Sequence, residues 1–270
     1  MAGWITGNCE VNGIKLHYTR TGGSKPPIVL LHGLMLNGAC WTPLARELEG
    51  EFDVIMPDAR GHGYSSAPEY GYCYETLGSD VLSLIETLWL TAPVILGHSM
   101  GGMTAAVVAS RKLQPLAGII LADPTFLTPQ QQMEVYETKI AEQHRKVLMK
   151  TREDYMAEVE GRHNRRSPEL IKLFVQARFQ TSIHAFEILK PPNPDYLQLI
   201  KSLGVPSLLL FGEVGSVISA EMAAELSGLN SNLKTVQIPK AGHAIPFDQP
   251  EAFSVVVQTF LQSLRIQNLV

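Results

Sequence analysis

Gly97-His98-Ser99-Met100-Gly101 sets one hydroxyl between two glycines. The apolar run Pro93-Val94-Ile95-Leu96 precedes it, and the small-residue run Met103-Thr104-Ala105-Ala106-Val107-Val108-Ala109 follows it. The first reads as a short buried strand and the second as a helix lying close on a sheet. A serine between them must occupy a very tight turn. Gly97 and Gly101 remove Cβ atoms where strand and helix approach, so a strained backbone at Ser99 is tolerated. Such a turn lifts the hydroxyl above the sheet edge, beside the positive end of a helix. The chemistry this suits is nucleophilic attack. The plain alternative is a glycine-rich turn that contains a serine, and the pattern G-x-S-x-G does not by itself separate the two.

A serine hydroxyl is protonated and weak. It needs a base within hydrogen-bond reach, and the base needs an orienting carboxylate. His243, in Gly242-His243 after what reads as the last strand, is the best-placed base among the eight histidines. His98 adjoins the serine, but a tight turn points it away. His32 and His62 lie in glycine turns, His17 on an N-terminal hairpin, and His144, His163 and His184 in a helical segment. Attack on an acyl carbon creates an oxyanion that two preorganised N–H donors should meet. Met100, the residue after the serine, offers one, and the loop His32-Gly33-Leu34 the other, assigned to Leu34. Losing one such donor costs roughly 3–4 kcal/mol in known systems.

The elements that must hold these groups follow from pattern. Residues 9–21 alternate around Asn12-Gly13 and read as a hairpin. Pro27–Leu31, Asp53–Met56, Pro93–Leu96 and Leu116–Ala122 are apolar strands. Helical patterns lie between them at Trp41–Glu49 and Glu75–Trp89, and after Ser99. Strands that are apolar throughout argue for a parallel sheet covered on both faces. Ligands bind such sheets at the carboxyl ends of the strands, where His32, Asp58, Ser99 and Asp123 all fall. From Pro124 to about Ser202 the rhythm is helical and polar. Ser167-Pro168-Glu169 reads as a helix start, and Pro191-Pro192-Asn193-Pro194 closes the segment. The alternation resumes with strands at Val205–Phe211 and Leu233–Ile238, and with helices near Ala220–Leu226 and from Gln249 onward. The division is therefore a core of residues 1–123 and 203–270 with a helical cap, 124–202, inserted after the sixth strand.

The whole resembles the α/β-hydrolase superfamily, close to its single-domain esterase, lactonase and carbon–carbon hydrolase members. The likeness rests on L-L-H-G at Leu30–Gly33, D-x-R-G-x-G-x-S at Asp58–Ser65, G-H-S-M-G-G at Gly97–Gly102, A-G-H at Ala241–His243 and D-x-P-x-x-F at Asp248–Phe253. It implies the α/β-hydrolase fold, a mostly parallel central sheet with helices on both faces. It implies a Ser–His–acid triad, and structural roles for Asp58 and Asp248 in supporting turns. One departure matters. Members usually carry the triad acid as G-x-x-D after the strand ending here at Phe211, but this chain reads Gly212-Glu213-Val214-Gly215. A minority take the acid from the end of the preceding core strand. That assigns it to Asp123, with Glu213 as the alternative and a turn-capping role for Asp123 as the plain one.

The expected activity is cleavage of a carboxylic ester or lactone through an acyl-enzyme on Ser99. Carbon–carbon cleavage by the same residues, or a weakly catalytic receptor on the same scaffold, are the alternatives. Leu34, His98, Met100 and the cap residue Phe126 are expected to contact a mainly hydrophobic substrate of modest size. Met133, Tyr136, Phe174, Phe179 and Phe186 are further cap residues from which a pocket could be built. Between Arg145 and Arg178 the cap holds nine Lys/Arg against five Asp/Glu, in a chain of net charge −4. That excess reads first as a solvated helix surface and second as attraction for an anionic substrate. The acidic balance gives no case for nucleic acid or for an anionic membrane. The N-terminus shows no secretory pattern, and no run nears the ~18 apolar residues of a membrane span. Cys9, Cys40 and Cys73 suit a reduced, cytoplasmic setting and have no metal-ligand spacing. The expected partner is a small-molecule substrate with no cofactor and no metal. A homodimer is compatible with the residues and not specified by them.

Overall fold

The computed structural model describes residues 3–162 and 166–267; His163 lies outside them. Asn12 and Gly13, with φ of 45° and 72°, take the left-handed backbone that a two-residue hairpin turn requires. They join β1 (Ile5–Val11) to β2 (Ile14–Arg20), antiparallel with Val11 opposite Ile14. β2 pairs antiparallel with β4 (Asp53–Pro57). The other pairings, through β3 (Pro27–Leu31), β5 (Val94–His98), β6 (Gly118–Ala122), β7 (Ser207–Gly212) and β8 (Leu233–Ile238), are parallel. The eight strands run in the order β1-β2-β4-β3-β5-β6-β7-β8.

Successive residues of each central strand face opposite sides, and both sides are covered. Ile28 and Leu30 of β3 pack with α1 (Thr42–Leu48) and with Phe253, Val257 and Leu261 of α11 (Pro250–Gln267). Val29 and Leu31 face α2 (Tyr74–Thr87) and α3 (Met100–Arg111). This two-sided burial is why the strands read as unbroken apolar runs. Each such side chain contributes roughly 1.5–3 kcal/mol on full burial. Register then does the functional work. Leu31 lies beside Gly97, Gly97 beside Leu121, and His98 beside Ala122, so residues 99 and 123 leave adjacent strand tips.

Between β6 and β7 run α4 (Pro129–Glu137), α5 (Ile140–Leu148), α6 (Arg152–Arg162), α7 (Pro168–Phe179), a 3-10 turn at Ile183–Leu189 and α8 (Tyr196–Ser202). α4 opens with a capping box between Thr128 and Gln131. α7 starts as its sequence predicts, with Pro168 in its first turn and the Ser167 hydroxyl accepting the Leu170 N–H at 3.3 Å. α7 joins the helical segment to the elements around the sheet. Leu170 and Ala177 pack on Cys40 and Phe247, while Ile171 and Val175 pack on Val159 of α6. α9 (Ala220–Leu229) follows β7. A four-residue helix, α10 (Ile245–Asp248), sits between β8 and α11. It is too short for any periodicity to show in the sequence. Among the described residues no helix is long and apolar enough to cross a membrane.

Candidate active site

Ser99 sits where β5 turns into α3, with φ 55° and ψ −118°. A Cβ on Gly97 would strike the carbonyl of Gly101, and one on Gly101 would strike the carbonyl of Leu31. The two glycines are therefore steric requirements of the turn. Gly102 and Met103 donate their N–H groups to the Ser99 carbonyl at 2.9 and 3.1 Å, which fixes the strained residue from its own C-terminal side.

His243 stands on the loop between β8 and α10. Its Nε2 is 3.0 Å from Ser99 Oγ, and its Nδ1 is 2.5 Å from Asp123 Oδ2. A carboxylate only accepts, so Nδ1 carries the proton and Nε2 is left bare toward the serine hydroxyl. Asp123 is fully buried with φ 42°, one residue past β6. Three more donors converge on it. Ser216 Oγ donates to Oδ1 at 2.5 Å, Ile218 N–H to Oδ1 at 3.0 Å and Val217 N–H to Oδ2 at 2.9 Å. Gly212 N–H in turn donates to Ser216 Oγ at 3.0 Å, which directs the hydroxyl proton at the aspartate. The loop after β7, where the carboxylate is absent from Gly215, thus supplies donors to a carboxylate from the neighbouring strand. Glu213 is exposed, and its carboxylate accepts the Lys240 N–H at 2.7 Å; it is not the partner of His243.

The loop after β3 is held by two neutral imidazoles. His32 Nδ1–H donates to the Gly33 carbonyl at 2.8 Å, and its Nε2 accepts the Ala59 N–H at 2.9 Å. His62 Nδ1–H donates to the Arg60 carbonyl at 3.0 Å, and its Nε2 faces the Met35 N–H at 3.4 Å. Burial lowers the pKa of both, that of His62 to about 3. Leu34 and Met100 both line the cavity over Ser99. Among the described residues the backbone N–H of Leu34 has no protein acceptor. That of Met100 is at the first position of α3, where no intrahelical acceptor exists.

His98 does two things. It lines the cavity, and its Nε2–H donates to the His243 carbonyl at 2.8 Å, anchoring the loop that carries the imidazole. Burial, reinforced by the nearby His243, pushes its pKa down to about 4, so it is a neutral donor near pH 7. Asp248 accepts the Gly242 N–H at 3.1 Å and Arg166 Nη2 at 2.7 Å, tying the same loop to the helical segment. Asp58 accepts from Gly38 N–H (2.8 Å), Tyr64 N–H (2.9 Å) and His17 Nδ1 (3.0 Å). Burial pushes the Asp58 carboxyl up, but these hydrogen bonds prevail and hold it below its ordinary value.

The cavity above Ser99 has a volume of about 510 Å³, ordinary for a small-molecule site. Leu36, Val159, Phe174, Ile188 and Phe247 make much of its wall apolar. Phe126 is a correction. It does not line the cavity; its ring is buried in the main core, stacked on Tyr196 at 5.3 Å between centroids. Two residues past Pro124 the chain still runs against the main core, so the aromatic packs there and not on the cavity wall. Of the other cap residues, Phe174 lines the cavity. Met133 and Tyr136 are exposed, Phe179 packs on Tyr155, and Phe186 stacks on His144. Sequence reasoning missed Ser216, Arg166 and Arg178, whose signal exists only once distant loops meet. Among the described residues no group of His, Cys, Asp or Glu is arranged to hold a metal ion.

Sheet order, strained serine and the hydrogen-bonded chain Ser99–His243–Asp123 define the class of protein. The family model for the alpha/beta hydrolase fold matches residues 26–250, and the chain belongs to that family. It is similar to 2-(acetamidomethylene)succinate hydrolase of Mesorhizobium japonicum, 25% identical over 96% of both chains. It is also similar to N-formylmaleamate deformylase of Pseudomonas putida, 27% identical over 94% of this chain and 96% of that one. Among solved structures, a thermophilic esterase from Thermogutta terrifontis with malate bound superposes with a TM-score of 0.75. It is 26% identical and covers 97% of this chain and 99% of its own.

Proposed function

We propose that this hydrolase cleaves an acyl bond, an ester in the first instance, through a covalent intermediate on Ser99. The observation that carries the reading is the relay of 3.0 Å from Ser99 Oγ to His243 Nε2 and 2.5 Å from His243 Nδ1 to Asp123. His243 takes the hydroxyl proton as Ser99 Oγ attacks the carbonyl carbon. The N–H groups of Leu34 and Met100 receive the oxyanion, Leu34 from the loop braced by His32 and His62. The imidazolium, held by Asp123, then protonates the leaving alcohol. Water repeats the sequence on the acyl-enzyme and releases the acid. Four donors around Asp123 keep its carboxylate fixed while the imidazole charges and discharges. The alternative of a weakly catalytic receptor is disfavoured by Asp123, whose carboxylate is 2.5 Å from His243 Nδ1.

A relative named as the deformylase of N-formylmaleamate favours one second reading, an N-acyl bond attacked by the same serine. The mostly apolar cavity of about 510 Å³ suits a small substrate in either case.

A fluorophosphonate probe should label Ser99, located by mass spectrometry, and should not label Ser99→Ala. p-Nitrophenyl esters, lactones and matched anilides then rank the bonds. Failure to label native protein at Ser99, together with no turnover of any acyl substrate, would overturn the proposal.

A further inference from the structure

Two arginines reach the wall of the cavity that holds Ser99, and they are in opposite states. Arg166 is satisfied: it pairs with Asp248 at 2.7 Å and lies over the Phe174 ring at 5.1 Å. Arg178, in the last turn of α7, is not. Its Nε is buried without a hydrogen-bond partner, and its Nη1 abuts the Sδ of Met35, a weak acceptor. No ion pair includes it among the described residues. No Asp or Glu lines the cavity among those residues either. Burial lowers the pKa of Arg178, opposed only by the Tyr155 phenol, yet a guanidinium stays cationic near neutral pH. The field of the helix C-terminus offsets part of that cost and supplies no acceptor for the fork of donors. A half-buried guanidinium whose Nε has no acceptor is costly to hold, and a counter-charge arriving from outside would offset that cost.

The position is specific. Met35 follows Leu34, so the guanidinium rests against the loop assigned to the oxyanion. Two residues on, Gln180 Oε1 accepts Asn37 Nδ2–H at 2.9 Å and locks the end of α7 to that loop. An anion seated on Arg178 is therefore held a short chain's length from the carbonyl under attack.

We propose that Arg178 is the substrate anchor of this site and that the substrate is a short acyl compound carrying a second, free carboxylate. The fork of Arg178 binds that carboxylate and so orients the scissile carbonyl over Ser99. The acyl bond in question rests on the function proposed above; the anchor does not.

The test uses the intact protein and two readouts. The first is kcat/KM for monomethyl succinate, glutarate and adipate against methyl butanoate, pentanoate and hexanoate, followed by pH-stat. The native enzyme should favour the best charged ester over its neutral counterpart by about 10-fold or more. Arg178→Met should lower that ratio about 30-fold, and Arg178→Lys should lower it less. The second readout needs no turnover. Succinate, glutarate or adipate should raise the melting temperature of Ser99→Ala, and adding Arg178→Met should abolish the shift. Should Arg178→Met fail to fold, Arg178→Lys and the native charged-to-neutral ratio, which must fall with added salt, decide instead. A native preference for neutral esters, or an unchanged ratio in the variant, overturns the anchor while leaving the hydrolase standing. Diacid binding that depends on Arg178, without labelling of Ser99 or any turnover, keeps the anchor and ends the hydrolase reading.

Discussion

The floor and the roof of the cavity are built on different terms. The floor consists of the loops after β3, β5, β6, β7 and β8. Among the described residues its side-chain polar groups are mostly matched, His98 Nδ1 excepted, while the Leu34 and Met100 N–H groups stand without acceptors. Asp123 receives four donors, His32 is bonded at both ring nitrogens, and His98 clamps the carbonyl of His243. The roof, contributed by the helical segment, leaves the Nε of Arg178 with no partner. A floor held by so many bonds is rigid in advance, which suits the attack proposed above, and its two free N–H groups are those assigned to the oxyanion. An unsatisfied roof is where recognition of the incoming molecule is left to be completed. The two loops after β6 and β7 teach a related lesson. One supplies the carboxylate and the other its donors, so an acid missing from one strand end need not be missing from the site.

The most severe break in the floor is Asp123→Asn, which should lower turnover by about four orders of magnitude by analogy with other triads. Glu213→Gln should stay within about twofold, because that carboxylate serves Lys240. Kinetics of both on one ester check this, and the reverse ranking would place the acid elsewhere. Ser216→Ala removes one charge-assisted donor from Asp123 and should lower kcat by roughly 10- to 30-fold with KM little changed. A loss confined to KM would count against its role beneath His243.

Acid should destabilise the fold before it reaches the carboxylates. His32, His62, His98 and His144 all have depressed pKa values because they are buried, with His98 at about 4 and His62 at about 3. The unfolded chain therefore binds protons first. Stability is full above the ordinary histidine value near pH 6.5 and drains as pH falls from there toward 4 and below. Asp58, also depressed, adds its loss only below about pH 4. Calorimetry should find the melting temperature roughly 5–15 °C lower at pH 5 than at pH 7. A flat profile over that range would mean these imidazoles are not the buried neutral braces described. The smallest effect tests the corrected residue. Phe126→Leu should cost roughly 1–2 kcal/mol by urea unfolding and leave KM within about twofold. A KM change without a stability change would return Phe126 to the substrate.

The strands, the covering helices, the serine turn and the histidine after the last strand were legible in the sequence, because each is encoded locally. Apolar runs, the glycines at 97 and 101, and the Ser167-Pro168 start of α7 act on their own neighbours. Asp123 was legible only through the departure at Gly215 and the family resemblance, since its partners Ser216, Val217 and Ile218 lie more than ninety residues away along the chain. Phe126 was misread because an aromatic just beyond a strand end looks the same in sequence whether it faces a cavity or a core. The isolation of Arg178 could not be read at all. A charge is unmatched only relative to everything folded around it. The basic residues of its segment look alike in sequence; among the described ones, packing pairs Arg166 with Asp248 and leaves Arg178 unmatched at the cavity wall.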